Sequence, residues 1–296
     1  PRWPPPSPPA TWLAGRGGFP NDSGRRHPAR NVENGRAMSE AKSPSKRYVA
    51  LGSSMAAGPG IRPRAAGAPF GSGRSARNYP HLVAQRCDLE LVDVTFSGAT
   101  TANVLADHQR GAPPQITALN GSESLVTITI GGNDVGYIPL LMAASLPRPF
   151  RRLPLLGARI SDLLDRDARI AALDAVFESL CAVGRAVRRR APRARVFFVD
   201  YLTVLPPAGT PAAPLSEADA DLGRHVAATL ERLTADAATA TDCDVVRAAA
   251  ASREHHAWSG DPWTTRPGVP LPGRVAPLHP NAAGMRAAAE LVSALW

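Results

Sequence analysis

The run Leu125-Val-Thr-Ile-Thr-Ile130 constrains the fold most. Six consecutive apolar or β-branched residues lack the alternation of a half-exposed strand, so both faces must be covered. That is the pattern of a strand inside a parallel sheet flanked by helices. Four shorter runs, Tyr48–Leu51, Leu89–Val94, Arg195–Val199 and Cys243–Val246, read as further strands. Helical patterns separate them at Asn78–Arg86, Thr101–His108, Val135–Leu146, Asp167–Arg190, Ser216–Ala240 and Asn281–Leu295. Strand and helix alternate throughout, which predicts one α/β domain with a parallel sheet. In the helix from Asp167, the apolar spacing puts Ile170, Leu173, Val176, Phe177, Leu180 and Val183–Val187 on the buried face.

Charge narrows the function. The 296-residue chain carries a net +9, of which residues 1–47 contribute +6 from 9 Lys/Arg and 3 Asp/Glu. The remainder is only mildly basic, so no nucleic-acid partner is expected. Residues 1–46 form a Pro/Arg-rich segment too poor in apolar residues to fold and are expected to be disordered, with Met38 a candidate true start. The folded domain is expected over 47–296. No apolar run approaches the ~18 residues of a membrane span and no signal-peptide pattern is visible, so stable membrane insertion is not expected and a cytoplasmic location is. Cys87, Cys181 and Cys243 read as free thiols rather than a disulfide framework. The sequence carries no signal for oligomeric state.

Ligands of a parallel α/β sheet bind outside the carboxyl ends of its strands. Four short motifs follow strands directly and should open on that edge. Ser53-Ser54 lies in YVALGSSMAAGPG, Gly98 in FSGATT, Asn133 in GGNDVGY, and His279 in HPNAAG. Singly, each is an ordinary cap, turn or loop. Together a serine at a strand-to-helix elbow, a distant histidine and two glycine-centred turns are the parts of a serine-nucleophile hydrolase.

In this order the four strings resemble the blocks of the SGNH (GDSL-type) hydrolase family, from about Tyr48 to the C-terminus. The resemblance implies a three-layer α/β/α sandwich with a central parallel sheet of about five strands, of the flavodoxin-like kind. It implies Ser54 as nucleophile, His279 as general base, and an oxyanion hole formed by the Ser54 and Gly98 backbone N–H groups and the Asn133 side chain. It further implies a small-molecule ester as substrate, an acyl-serine intermediate, and no metal or other cofactor. Helix polarity after Ser54 is expected to add a favourable dipole.

Two departures stand out. The residue before the nucleophile, commonly Asp, is Ser53. The position three before the histidine, also commonly Asp, is Ala276; its backbone carbonyl is the expected orienter of His279, with Asp261 a remoter candidate. Asp134 is expected either to position Asn133 or to cap its turn. His255 and His256 read as solvent-exposed loop residues rather than metal ligands. Trp258 and Trp263 either line an acyl pocket or pin their loop. The Arg148, Arg151, Arg152 cluster reads as a solvated loop. Two other functions fit the same motifs: acyl transfer to an alcohol or sugar acceptor, and a catalytically silent protein that binds an acylated ligand. Nucleotide binding fails, because GSSMAAG is not G-x-G-x-x-G.

Overall fold

Five parallel strands in the order β2-β1-β3-β4-β5 organise the molecule: β1 (Lys46–Gly52), β2 (Leu89–Asp93), β3 (Glu123–Thr129), β4 (Arg195–Val199) and β5 (Asp244–Val246). The computed structural model describes residues 46–147, 149 and 154–296, and these belong to one compact unit. Residues 1–45, with Met38, and the Arg148, Arg151, Arg152 cluster lie outside the described residues. Lys46, expected in the disordered segment, is the first residue of β1.

The expected three layers follow from strand alternation. Tyr48, Ala50, Leu125, Phe197 and Val199 point to one face of the sheet, where α2 (Tyr79–Cys87) and α9 (Ala282–Leu295) cover them. Val49, Leu51, Val126, Ile128, Val196 and Phe198 point to the other. There the cover is α3 (Thr101–Leu105), α4 (Tyr137–Ala144), α6 (Arg166–Arg190) and α7 (Glu217–Ala240). Successive side chains of a strand point to opposite faces, so an all-apolar run is satisfied only between two helical layers. The hydroxyls buried in those layers pair with one another: Tyr48 Oη lies 2.8 Å from Thr127 Oγ1, and Tyr79 Oη 2.8 Å from Thr129 Oγ1.

The helices begin where their capping residues predict. The side chains of Asn78 and Ser216 accept from the backbone N–H of His81 and Asp219 at the starts of α2 and α7. A further helix, α5 (Pro154–Leu164), opens on Pro154, where a proline's fixed φ and missing N–H are harmless. Two expectations are corrected. Ile170 is 36% exposed, and Arg169 is buried instead, its Nη1 donating to Val135 O at 2.9 Å. The helix after Ser54, α1 (Ser54–Ala57), is a single turn ended by Gly58 at φ +73°, so it has little dipole to offer. Cys87, Cys181 and Cys243 are all free thiols, as expected.

The long helices α6 and α7 meet closely around Gly184. A Cβ there would sit 2.3 Å from Thr241 Oγ1 and 2.8 Å from Thr241 Cβ. Gly184→Ala should therefore destabilise the fold by about 1–3 kcal/mol despite alanine's better helix propensity. Urea denaturation checks this; an unchanged or raised midpoint would mean that Thr241 yields freely.

Candidate active site

Strand order reverses direction between β1 and β3, and the site is built in that crevice. β1 extends beyond the end of β2: the last β1–β2 pair is Ala50 with Asp93, leaving Leu51 and Gly52 without a β2 partner. The buried amide of Gln115 takes over at Gly52. It accepts from Gly52 N at 2.7 Å and donates to Gly52 O at 3.0 Å. Gly52 has φ +148°, and a Cβ on it would lie 2.6 Å from Thr129 O. Only glycine lets the chain turn this close to β3. The turn places Ser53 N 2.9 Å from Thr129 O and starts α1 at Ser54.

His279 arrives from the opposite end of the sequence. The segment ahead of it is tied down by Thr265, whose Oγ1 donates to Ala276 O at 2.8 Å and whose N donates to His279 O at 3.0 Å. Leu278, fully buried, adopts φ +61°. A leucine enters that region only under tertiary constraint. Asn281 then caps α9, accepting from Ala283 N at 2.8 Å and Gly284 N at 3.0 Å. The result is a hydrogen bond of 2.8 Å between His279 Nε2 and Ser54 Oγ, across 225 residues of chain. Both groups are more than nine-tenths buried.

The Nδ1 partner differs from the expectation. It is Pro277 O, at 2.7 Å, and not the Ala276 carbonyl. Ala276 is occupied elsewhere: its carbonyl accepts from Thr265, and its N donates to Pro59 O at 3.0 Å. Asp261 is also not the orienter. Its carbonyl and carboxylate lie 2.8 and 3.3 Å from His255 Nδ1. Because Pro277 O only accepts, Nδ1 carries the proton and Nε2 presents its lone pair to Ser54. Burial lowers the His279 pKa below its ordinary value, and the Pro277 hydrogen bond only partly opposes this.

The two glycine-centred turns lie beside the elbow. Gly98, at φ +81°, is exposed. Asn133 Nδ2 donates one hydrogen to Ala99 O at 2.8 Å, which orients the amide and leaves its second N–H without a partner among the described residues. Asp134 spans the two turns, accepting from Thr101 N at 3.0 Å and Thr101 Oγ1 at 2.5 Å. It thus caps α3 and fastens GGND to GATT; burial raises its pKa. Ser53, in place of the commoner Asp, lies 3.3 Å from Tyr201 Oη. That hydroxyl also accepts from Gly132 N at 2.9 Å, so Tyr201 joins the serine elbow to the asparagine turn. A Cβ on Gly132 would sit 2.1 Å from the Tyr201 ring.

Gln115, Thr265, Pro277 and Tyr201 escaped the sequence reading. Three lie in loops with no motif of their own. Gln115 sits in a short 3-10 turn after Pro113-Pro114. Trp258 and Trp263 pin their loop: Trp258 Nε1 donates to Ala213 O at 3.0 Å, and Trp263 stacks on His255 at 3.9 Å between centroids. His255 is therefore half-buried and not a free loop residue, and among the described residues no group of three His, Cys, Asp or Glu could hold a metal.

The model of the GDSL-like lipase/acylhydrolase family matches residues 50–287. "Lipase 2" of Streptomyces coelicolor is 33% identical over 259 residues, covering 83% of this chain and 84% of that protein. Phospholipase A1 from Streptomyces albidoflavus superposes with a TM-score of 0.71 at 28% identity, covering 85% of this chain and 99% of that one. The extracellular lipase of Streptomyces rimosus gives 0.70 at 25% identity, over 84% and 99%. The chain belongs to the GDSL-like lipase/acylhydrolase family, a class of carboxylic-ester hydrolases with the SGNH α/β/α fold. The expectation of a cytoplasmic location finds no support beside an extracellular relative. Among the described residues, no helix is long and apolar enough to cross a membrane.

Gln115→Leu would strand the buried Gly52 N–H and remove one of the two donors to its carbonyl, leaving Phe96 N. A loss of about 1–3 kcal/mol in stability is expected, with a fall in turnover larger than the change in KM. Thermal denaturation and steady-state kinetics on a soluble ester check both; wild-type kinetics would show that Gln115 does not position the elbow.

Proposed function

We propose that this chain hydrolyses carboxylic esters through an acyl intermediate on Ser54. The observation that carries the proposal is the 2.8 Å contact of Ser54 Oγ with His279 Nε2, with Nδ1 anchored on Pro277 O at 2.7 Å. A serine hydroxyl becomes an effective nucleophile when a base takes its proton as it attacks. Ser54 Oγ adds to the ester carbonyl carbon while its proton passes to His279 Nε2. The carbonyl oxygen takes up the negative charge, which the N–H groups of Ser54 and Gly98 and the second Asn133 N–H are proposed to meet. Each such fixed donor is worth about 3–4 kcal/mol in the transition state. The intermediate collapses, the alcohol leaves with the proton from His279, and Ser54 carries the acyl group. Water then attacks with the same base, releasing the acid and restoring the Ser54 hydroxyl.

Pro277 O maintains the productive tautomer without a carboxylate. An uncharged acceptor stabilises the imidazolium less than a carboxylate would, but it preserves ring orientation, which is the larger part of an orienter's role. The lipase and phospholipase names of the relatives favour esters with acyl chains. The loops beside the elbow and before His279 fit that class. They carry no acidic residue over 58–77 and 264–278, and Phe70 and Val269 are 86% and 79% exposed. Residues 1–45 are proposed to lie outside the catalytic domain, which opens with Lys46 of β1.

Hydrolysis of p-nitrophenyl acetate, butyrate, octanoate and palmitate is the direct test. Ser54→Ala should lower turnover by about 10³-fold or more, and Asn133→Ala by about 10²–10³-fold. Full activity in Ser54→Ala would remove the acyl-serine mechanism.

The pH profile follows from the lowered His279 pKa. Its neutral, base-competent form persists to lower pH than for an ordinary histidine, near 6.5. The acid limb of kcat/KM should therefore fall below pH 6.5. The unfolded chain binds a proton at His279 at higher pH than the folded one does, so this group removes stability as pH falls through about 6.5. A limb at or above 7 would show that another group controls the reaction.

A further inference from the structure

A second cavity of about 330 Å³ lies between the loop after β4, helix α7 and the segment 249–254. None of Ser54, Gly98, Asn133 and His279 lines it. Its walls are mainly apolar, with Leu202, Val204, Leu205, Ala227 and Leu230 among them, and its volume is at the lower end for small-molecule sites.

The polar groups of the cavity differ sharply in their state. Thr203 Oγ1 donates to Ala249 O at 2.9 Å, and Thr234 Oγ1 to Leu230 O at 2.7 Å. Of the charged lining residues, all but the exposed Glu254 are paired among the described residues. Arg253 holds both carboxylate oxygens of Glu231 at 2.9 and 2.8 Å. Arg224 binds Glu217 at 2.9 Å, Asp221 at 2.6 Å and the Pro206 carbonyl at 2.8 Å. Tyr137 is the exception. It lines the cavity and is 1% exposed, yet its hydroxyl has no hydrogen-bond partner among the described residues. Burial raises its pKa, so the hydroxyl remains a donor at neutral pH. Unlike the polar atoms that are fully buried without a partner, the Tyr137 hydroxyl keeps some access, which leaves it open to a ligand in the cavity.

We propose that this cavity is a second binding site, for a neutral aliphatic molecule whose single acceptor oxygen meets the Tyr137 hydroxyl. Neutrality follows from the prior pairing of Arg224 and Arg253, which leaves no free cation for a carboxylate, and from the exposure of Glu254, whose charge water already solvates. The aliphatic class follows from the walls. Tyr201 forms one wall with its ring, while its hydroxyl holds Gly132 N and lies beside Ser53 Oγ. A bound ligand would therefore rest against the same ring that braces the serine elbow. The proposal is independent of ester hydrolysis, since no residue assigned to that chemistry takes part.

The test is displacement of the neutral fluorophore N-phenyl-1-naphthylamine from the full chain by 2-decanone and by 1-chlorodecane. Saturable displacement by both is expected. Tyr137→Phe keeps the ring and removes the donor, so it should weaken 2-decanone about three- to tenfold and leave 1-chlorodecane unchanged. Ala227→Leu should fill the cavity and weaken both at least tenfold. Should Ala227→Leu fail to fold, the nearly isosteric Tyr137→Phe decides alone. Absence of saturable binding in the wild type, or equal 2-decanone affinity in wild type and Tyr137→Phe, overturns the proposal. A chain inert towards esters that still shows the Tyr137-dependent difference would sink the hydrolase reading and keep this one.

Discussion

Close approach of Gly52 to Thr129 is the constraint on which the rest of the site depends. β1 is hydrogen-bonded on both sides along most of its length, and at Gly52 it must leave the sheet without stranding a backbone group. A φ of +148° and the missing Cβ let it turn against β3, while the Gln115 amide takes the Gly52 N–H and shares its carbonyl with Phe96 N beyond the end of β2. Ser54 is then exactly as mobile as its surroundings permit, which is very little, because α1 is one buried turn. Preorganisation of this kind is what makes a hydrogen bond to a distant histidine useful in catalysis.

Two connected sets brace that elbow. Ser53, Tyr201 and Gly132 form one, made of neutral groups, and the Asp134 carboxyl with Thr101 forms the other. Neutral partners recur at the two positions where the family commonly has Asp: Ser53 before the nucleophile, and the Pro277 carbonyl on Nδ1 in place of a carboxylate. The consequence is a base that burial keeps neutral and that lacks a counter-charge once protonated. Such a base works over a wider acidic range but stabilises its charged form less.

The α/β class, the five strands, the free thiols and the pairing of Ser54 with His279 were legible in the sequence. Strand runs such as LVTITI report burial on two faces, and the Ser54, Gly98 and Asn133 motifs sit just after strands, where a parallel sheet must present them, while His279 returns to that edge at the end of a long loop after β5. The orienting carbonyl was misassigned by one residue, to Ala276. Which of two consecutive carbonyls reaches Nδ1 depends on the backbone angles at Leu278, and its left-handed conformation has no local signature in a leucine. Ile170 and Arg169 exchanged places for a similar reason. Periodicity marks a helical face, but the Val135 carbonyl that accepts from Arg169 belongs to another element.

Local rules therefore determined the elements: apolar runs for the strands, Asn78, Ser216 and Asn281 for helix starts, and glycines for the turns that φ demands. Tertiary structure alone decided what meets across long separations. Examples are His279 with Ser54 over 225 residues, Tyr201 with Ser53 over 148, and Gln115 with Gly52 over 63. The physical reason is that a hydrogen bond depends on distance and direction within a few tenths of an ångström. Propensity and periodicity act on neighbours along the chain and carry no such information about groups that only packing brings together.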